Sequence, residues 1–185
     1  MGTLLHRIAL ILAFATMIGR GHAQVFIADT SYRHSLNNAL PGLVDPAGMM
    51  DITNPGIPLL DSLTIVLLHG EGSSVSQAVE VNGLEHLSAV QYLNIQNFTC
   101  PTCGSQVSIP SCPPNMTELY IQGHNDTLTV GGLPLTMDQV SIYSASVAGR
   151  PSFTLLDPPG TIDRFSTGLV HLNWPGIADI GTFTY

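Results

Sequence analysis

Three cysteines, Cys100, Cys103 and Cys112, fall within 13 residues. Thiols this close can ligate a metal or close a disulfide. The spacing C-x2-C-x8-C has no fourth ligand beside it, and only His86 and His124 are near in sequence. A local disulfide with the third thiol free suits the segment better than zinc, and spacing does not decide which two pair. Asp45, Asp51 and Asn54 bring oxygens together in a loop. A calcium loop needs them closer and at regular steps, so they read as turn-forming side chains. Gly70-Glu71-Gly72 is followed by no lysine, so it is not a phosphate loop. There is no G-x-S-x-G elbow, and His34, His69, His86, His124 and His171 keep no common spacing. General acid–base or covalent catalysis needs paired carboxylates or a nucleophile with its base. The acids here are scattered, so the expectation is no catalysis, no cofactor and no metal.

What does recur is a phrase of apolar residues. It reads Val90-x-x-Leu93-x-Ile95, then Met116-x-x-Leu119-x-Ile121, then Met137-x-x-Val140-x-Ile142. The central residues 93, 119 and 140 are 26 and 21 apart. A fixed phrase at a period of about 20–29 residues is the signature of a leucine-rich repeat. Leu60-x-x-Leu63-x-Ile65 is an earlier copy, and Ile162-x-x-Phe165-x-Thr167 a degraded fifth, with threonine in its last apolar slot. The fold expected is an α/β solenoid, with short parallel strands stacked in one curved sheet. Prolines upstream of the strands (Pro113-Pro114, Pro134, Pro158-Pro159) favour extended or irregular backbone on the outer side. Leu84, Leu87, Val90 and Leu93, spaced by threes, fit a helical turn leading into a strand.

The ends divide the chain. Residues 1–23 carry His6 and Arg7, an apolar run from Ile8 to Ile18, and Gly21-His22-Ala23 as a small-x-small cleavage site. That is the pattern of a secretory signal peptide, too short to span a membrane. Residues 24–59 form a cap and loop. Val25-Phe26-Ile27 starts as a strand, and Asp29-Thr30 offers a helix N-cap. Tyr32, Leu36 and Leu40 line one face of a helix of about ten residues that Pro41-Gly42 ends. Terminal repeats need such a cover for the open core. Residues 60–185 are the repeats, without a recognisable closing cap. Charged residues are 10% and net charge is −8, which disfavours nucleic acid and anionic membrane. With 44% hydrophobic residues the chain has enough apolar surface to fold.

Phe26-Ile27-Ala28-Asp29-Thr30-Ser31-Tyr32-Arg33-His34-Ser35-Leu36 resembles the I-P-D-x-N-F-R-x-x-L cap that opens secreted bacterial leucine-rich repeat proteins. Ala28 stands for the proline, and Ser31-Tyr32 for Asn-Phe. The likeness covers roughly Val25 to Trp174. It implies a curved parallel solenoid used for recognition, secreted or held at the cell surface.

If Leu93 and Ile95 point inward, their neighbours point out. The outward sets are Tyr92, Asn94 and Gln96, then Glu118, Tyr120 and Gln122, then Gln139, Ser141 and Tyr143, then Arg164, Ser166 and Gly168. Strands stacked about 4.8 Å apart align them into a surface of amides, hydroxyls and tyrosines. Such surfaces suit an extracellular protein or a glycan. The expected function is recognition through this concave face, with no nucleic acid and no membrane insertion once the leader is cleaved. The competing reading is a structural spacer or stalk of a larger surface protein. Sequons at Asn97, Asn115 and Asn125 read as chance occurrences of common turn residues.

Overall fold

The computed structural model describes residues 24–68, 77–97, 105–123, 127–144, 152–168, 171–173 and 179–184. The leader at 1–23, the Gly70 turn, Cys100, Cys103, His69, His124, Asn125 and Trp174 lie outside the described residues.

Mostly parallel strands in sheets, with one α-helix, make up the described residues. Helix α1 (Thr30–Ala39) begins where expected. The Asp29 carboxylate accepts a hydrogen bond from Tyr32 N at 2.7 Å, satisfying an otherwise orphaned first-turn donor. Tyr32 and Leu36 are fully buried, and the Tyr32 hydroxyl donates to the Asn82 carbonyl at 2.9 Å. Before the helix, β1 (Gln24–Phe26) pairs antiparallel with β2 (Met49–Asp51). Arg33 ties the helix to this pair: its guanidinium lies 5.4 Å from the Phe26 ring centroid and donates to the Ala28 carbonyl at 3.2 Å. In the loop after the helix, Asp45 accepts from Met49 N at 2.8 Å and Asp51 from Thr53 N at 2.9 Å. Asn54 accepts from Gly56 N at 2.9 Å. These are the turn bonds expected of such side chains.

From Ser62 onward the chain alternates between two sheets. One holds β3 (Ser62–Leu67), β5 (Tyr92–Asn97), β7 (Glu118–Gly123), β9 (Thr136–Ser144), β11 (Thr161–Gly168) and β13 (Asp179–Thr184), all parallel and in sequence order. The register is the one the repeated phrase predicts. Leu63, Leu93, Leu119, Val140 and Phe165 lie side by side, and so do Ile65, Ile95, Ile121, Ile142 and Thr167. The nine apolar ones belong to one continuous core, and Thr167 is buried as well.

The two-residue gap inside the phrase has a backbone cause. In successive passes one carbonyl accepts two consecutive amides. Asp61 O takes Gln91 N and Tyr92 N, Gln91 O takes Thr117 N and Glu118 N, and Thr117 O takes Asp138 N and Gln139 N. The shared acceptor marks a kink that recurs at the same step of each pass while the strands stay paired one-to-one, and there the alternation slips so that two apolar side chains three apart both point inward. The spacing by threes at Leu84–Leu87 is a 3-10 turn, Leu84–His86.

The second sheet corrects one expectation. The side facing away from the six-stranded sheet is not irregular: β4 (Gln77–Glu80), β6 (Ser105–Ile109), β8 (Thr127–Val130), β10 (Ser152–Leu155) and β12 (His171–Asn173) form a parallel sheet of their own. Its warrant is a period of two. Val79 and Val81, Val107 and Ile109, Leu128 and Val130, Phe153 and Leu155 are all buried at alternate positions. Pro113, Pro114, Pro134, Pro158 and Pro159 fall between the strands of the two sheets and leave these segments free to pair.

Thr167 fills an isoleucine slot. Its hydroxyl is buried and finds no hydrogen-bond partner among the described residues. Thr167→Val, nearly isosteric, removes that unmet polar group and should raise stability by about 1 kcal/mol. Paired urea melts check this; an unchanged or lowered midpoint would show that the hydroxyl is satisfied.

Candidate functional site

Helix α1 sets one boundary of the candidate face. Edge strands expose unpaired backbone groups that invite pairing with other chains. Here the first edge, β3, is covered from the helix. Ser35 Oγ accepts from Val66 N at 2.9 Å, and Ser31 Oγ donates to the Leu68 carbonyl at 2.9 Å. Two serines one helical turn apart replace the missing neighbour strand.

Beyond that edge, the outward positions of the six-stranded sheet fall into rows across the strands. One row is Ser62, Tyr92, Glu118, Gln139 and Arg164, and the next is Thr64, Asn94, Tyr120, Ser141 and Ser166. The third is Val66, Gln96, Gln122, Tyr143 and Gly168. The structure therefore brings the expected face residues together. Tyr92 and Tyr120 sit diagonally on adjacent strands, with ring centroids 5.1 Å apart and planes tilted 37°. Such a pair stabilises the contact between the two strands beyond the area it buries. The Tyr120 hydroxyl donates to the Glu118 carboxylate at 3.3 Å. Partial burial, then the Glu118 charge and that hydrogen bond, raise the Tyr120 phenol above its ordinary pKa, while Arg164 works the other way. Tyr143 is half exposed and stands apart from the pair, its ring 3.3 Å from where a Cβ on Gly168 would lie. Gln122 and Arg164 are exposed; Asn94, Gln96 and Gln139 are partly covered.

One face residue departs from expectation. Ser141 points outward by alternation but is buried, its Oγ accepting from Gln139 Nε2 at 2.9 Å. It supports Gln139 and presents nothing to a ligand. Asn94 Oδ1 is also enclosed, without a partner among the described residues.

Comparison of the chain with protein-family models, with curated proteins and with solved structures finds no match.

Of the three cysteines, Cys112 is described, and it is a free thiol in the core. Burial pushes its pKa up to about 12. Cys100 and Cys103, the other candidates for the expected local disulfide, lie outside the described residues. His34 is exposed on α1, and His86 lies 3.5 Å from Glu85 on its own 3-10 turn. Among the described residues no three His, Cys, Asp or Glu side chains come together as a metal site. No described helix is long and apolar enough to cross a membrane. Asn97, the first sequon residue, is fully buried, whereas Asn115 is exposed in a turn and donates to Ser88 O at 2.8 Å.

A feature not anticipated from sequence lies at the helix end of the face. Thr30, His34 and Asn38, one stripe of α1, and Thr64, Val66 and Leu68 of the β3 segment enclose a half-open groove of about 470 Å³. The i, i+4, i+8 spacing of polar residues was the available signal, but on a surface helix that pattern ordinarily marks the solvated side.

Proposed function

We propose that the chain is a leucine-rich-repeat-type solenoid, exported to the outside or surface of the cell, that recognises a protein or a glycan through the outward face of its six-stranded sheet. The observation that carries this reading is the Tyr92–Tyr120 pair with its rows of amides and hydroxyls, held on in-register strands. Tyrosines on a rigid backbone offer large contact area with little entropy to lose, and the neighbouring amides supply hydrogen bonds without charge. Glu118 and Arg164 are the charged side chains in its central rows, so complementarity here rests on shape and neutral polar contacts.

The test is an array of glycans and cell-surface proteins probed with the purified protein and with a variant carrying Tyr92→Ala, Glu118→Ala, Tyr120→Ala, Gln139→Ala and Tyr143→Ala. A ligand whose affinity falls by about a hundredfold or more, with the circular dichroism spectrum kept, is the expected result, since central aromatic anchors carry most binding energy. A ligand retained by the variant would place recognition elsewhere, and no ligand at all would leave the chain as a spacer.

A further inference from the structure

We infer that the groove between α1 and β3 is a binding subsite for the terminal ring of a neutral oligosaccharide that lies across the strands of the sheet. This rests on the recognition face proposed above and names one ligand class for it.

Position is the first argument. Helix α1 stands as a wall at one end of the face, and the groove opens at its foot. Thr64, in the groove, is paired with Asn94, which is paired with Tyr120. Val66, also in the groove, is paired with Gln96, which is paired with Gln122. With strands about 4.8 Å apart, the tyrosine pair begins within roughly 5–10 Å of the groove along a straight path. A chain-like ligand running across the strands meets the tyrosines and then ends against the helix.

Rigidity is the second. The two serines bonded to β3 backbone hold the helix against the strand, so the groove is preformed. A preformed site loses less ordering entropy on binding.

Chemistry is the third. The volume of about 470 Å³ lies within the range of small-ligand sites. Its lining combines apolar surface, from Val66, Leu68 and the threonine methyls, with the His34 imidazole, the Asn38 amide and the Thr30 and Thr64 hydroxyls. Among the described residues no lining side chain is a carboxylate, lysine or arginine. A charged ligand would leave its charge unpaired there, at a cost that neutral groups avoid. A sugar ring combines an apolar C–H face with hydroxyls along its edge, which matches a lining of apolar side chains interleaved with amide, imidazole and hydroxyl groups. Beside the groove, the enclosed Asn94 Oδ1 is an acceptor that a ligand hydroxyl could meet after a small rotation of the amide.

The experiment is isothermal titration of the purified protein with four neutral probes, cellohexaose, mannohexaose, xylohexaose and maltohexaose, and with tetragalacturonate as a charged control. Two variants run beside it. One carries His34→Ala, Asn38→Ala and Thr64→Ala, all exposed positions, and the other Tyr92→Ala and Tyr120→Ala. Thermal melts confirm that each folds. The inference expects a neutral hexasaccharide to bind and the groove variant to weaken it by about tenfold or more, as loss of two or three hydrogen bonds would. Binding abolished by the tyrosine variant but untouched by the groove variant would overturn the subsite and keep the face. Preference for tetragalacturonate would overturn the neutral assignment. No saccharide binding, with a protein ligand captured by the face, would overturn the inference and leave the recognition reading standing.

Discussion

Gly123→Ala is expected to destabilise the protein by roughly 3–5 kcal/mol, a sum of backbone strain and overpacking. Gly123 closes β7 with φ at 132°, where side chains are rarely tolerated. A Cβ there would lie 1.9 Å from the Asn97 carbonyl oxygen and 2.6 Å from its carbon. Both atoms belong to the backbone of β5, paired with Gly123 in register, so no side-chain rotation relieves the clash. The strands must part, and the ladder loosens where Asn97 packs into the core. Against a total stability of about 5–15 kcal/mol this is a large fraction, and for a domain of this size the melting temperature should fall by roughly 10 °C or more. Gly168→Ala is the control. Its added methyl would meet the Tyr143 ring at 3.3 Å, and a half-exposed ring can move aside. Thermal melts of the two variants should separate clearly; equal midpoints would mean that the Asn97–Gly123 approach is not as tight as described.

The second large effect is a loss of stability at alkaline pH. Cys112 and Tyr32 are both buried. Burial pushes the Cys112 thiol up to about 12, and burial, then the nearby Glu85 charge, raises the Tyr32 phenol further still. Each group holds its proton in the folded state at a pH where the unfolded chain has released it. Their contribution is therefore complete below the ordinary pKa values, near 9 for the thiol and 10 for the phenol, and is lost as pH climbs above them. The slope is about 1.4 kcal/mol per pH unit for each group. At pH 11 the combined loss is on the order of 4 kcal/mol. Urea midpoints measured from pH 7 to 11 should fall with a break near 9 and a steeper limb above 10. Cys112→Ala should remove the first break and Tyr32→Phe the steepening, although each costs some stability at pH 7 through lost packing or the lost bond to Asn82. In the folded protein at pH 8, Cys112 should react with a thiol reagent on the order of a thousandfold more slowly than an exposed cysteine, because so little of it is thiolate. A flat pH profile together with rapid labelling would mean that the core around Cys112 is open to water.

Read without coordinates, the apolar phrase alone determines that the strands are parallel, in register and inward-facing at 93, 95, 119, 121, 140 and 142. The reason is local: three apolar positions at a fixed spacing can be buried together in only one way when copies stack. Asp29 as the helix cap, and Asp45, Asp51 and Asn54 as turn residues, were legible too, because their hydrogen bonds reach only a few residues along the chain. The second sheet left a fainter trace. Segments such as Val79-x-Val81 and Leu128-x-Val130 are too short to distinguish extended from irregular backbone until a neighbour accepts their hydrogen bonds. The tyrosine contact, the cover over Ser141, the free Cys112 thiol and the groove under α1 belong to the tertiary structure alone. They depend on how side chains lean against their neighbours in the packed sheets, or on where the helix settles against β3. Periodicity assigns a side chain to a face; only packing decides what it touches there.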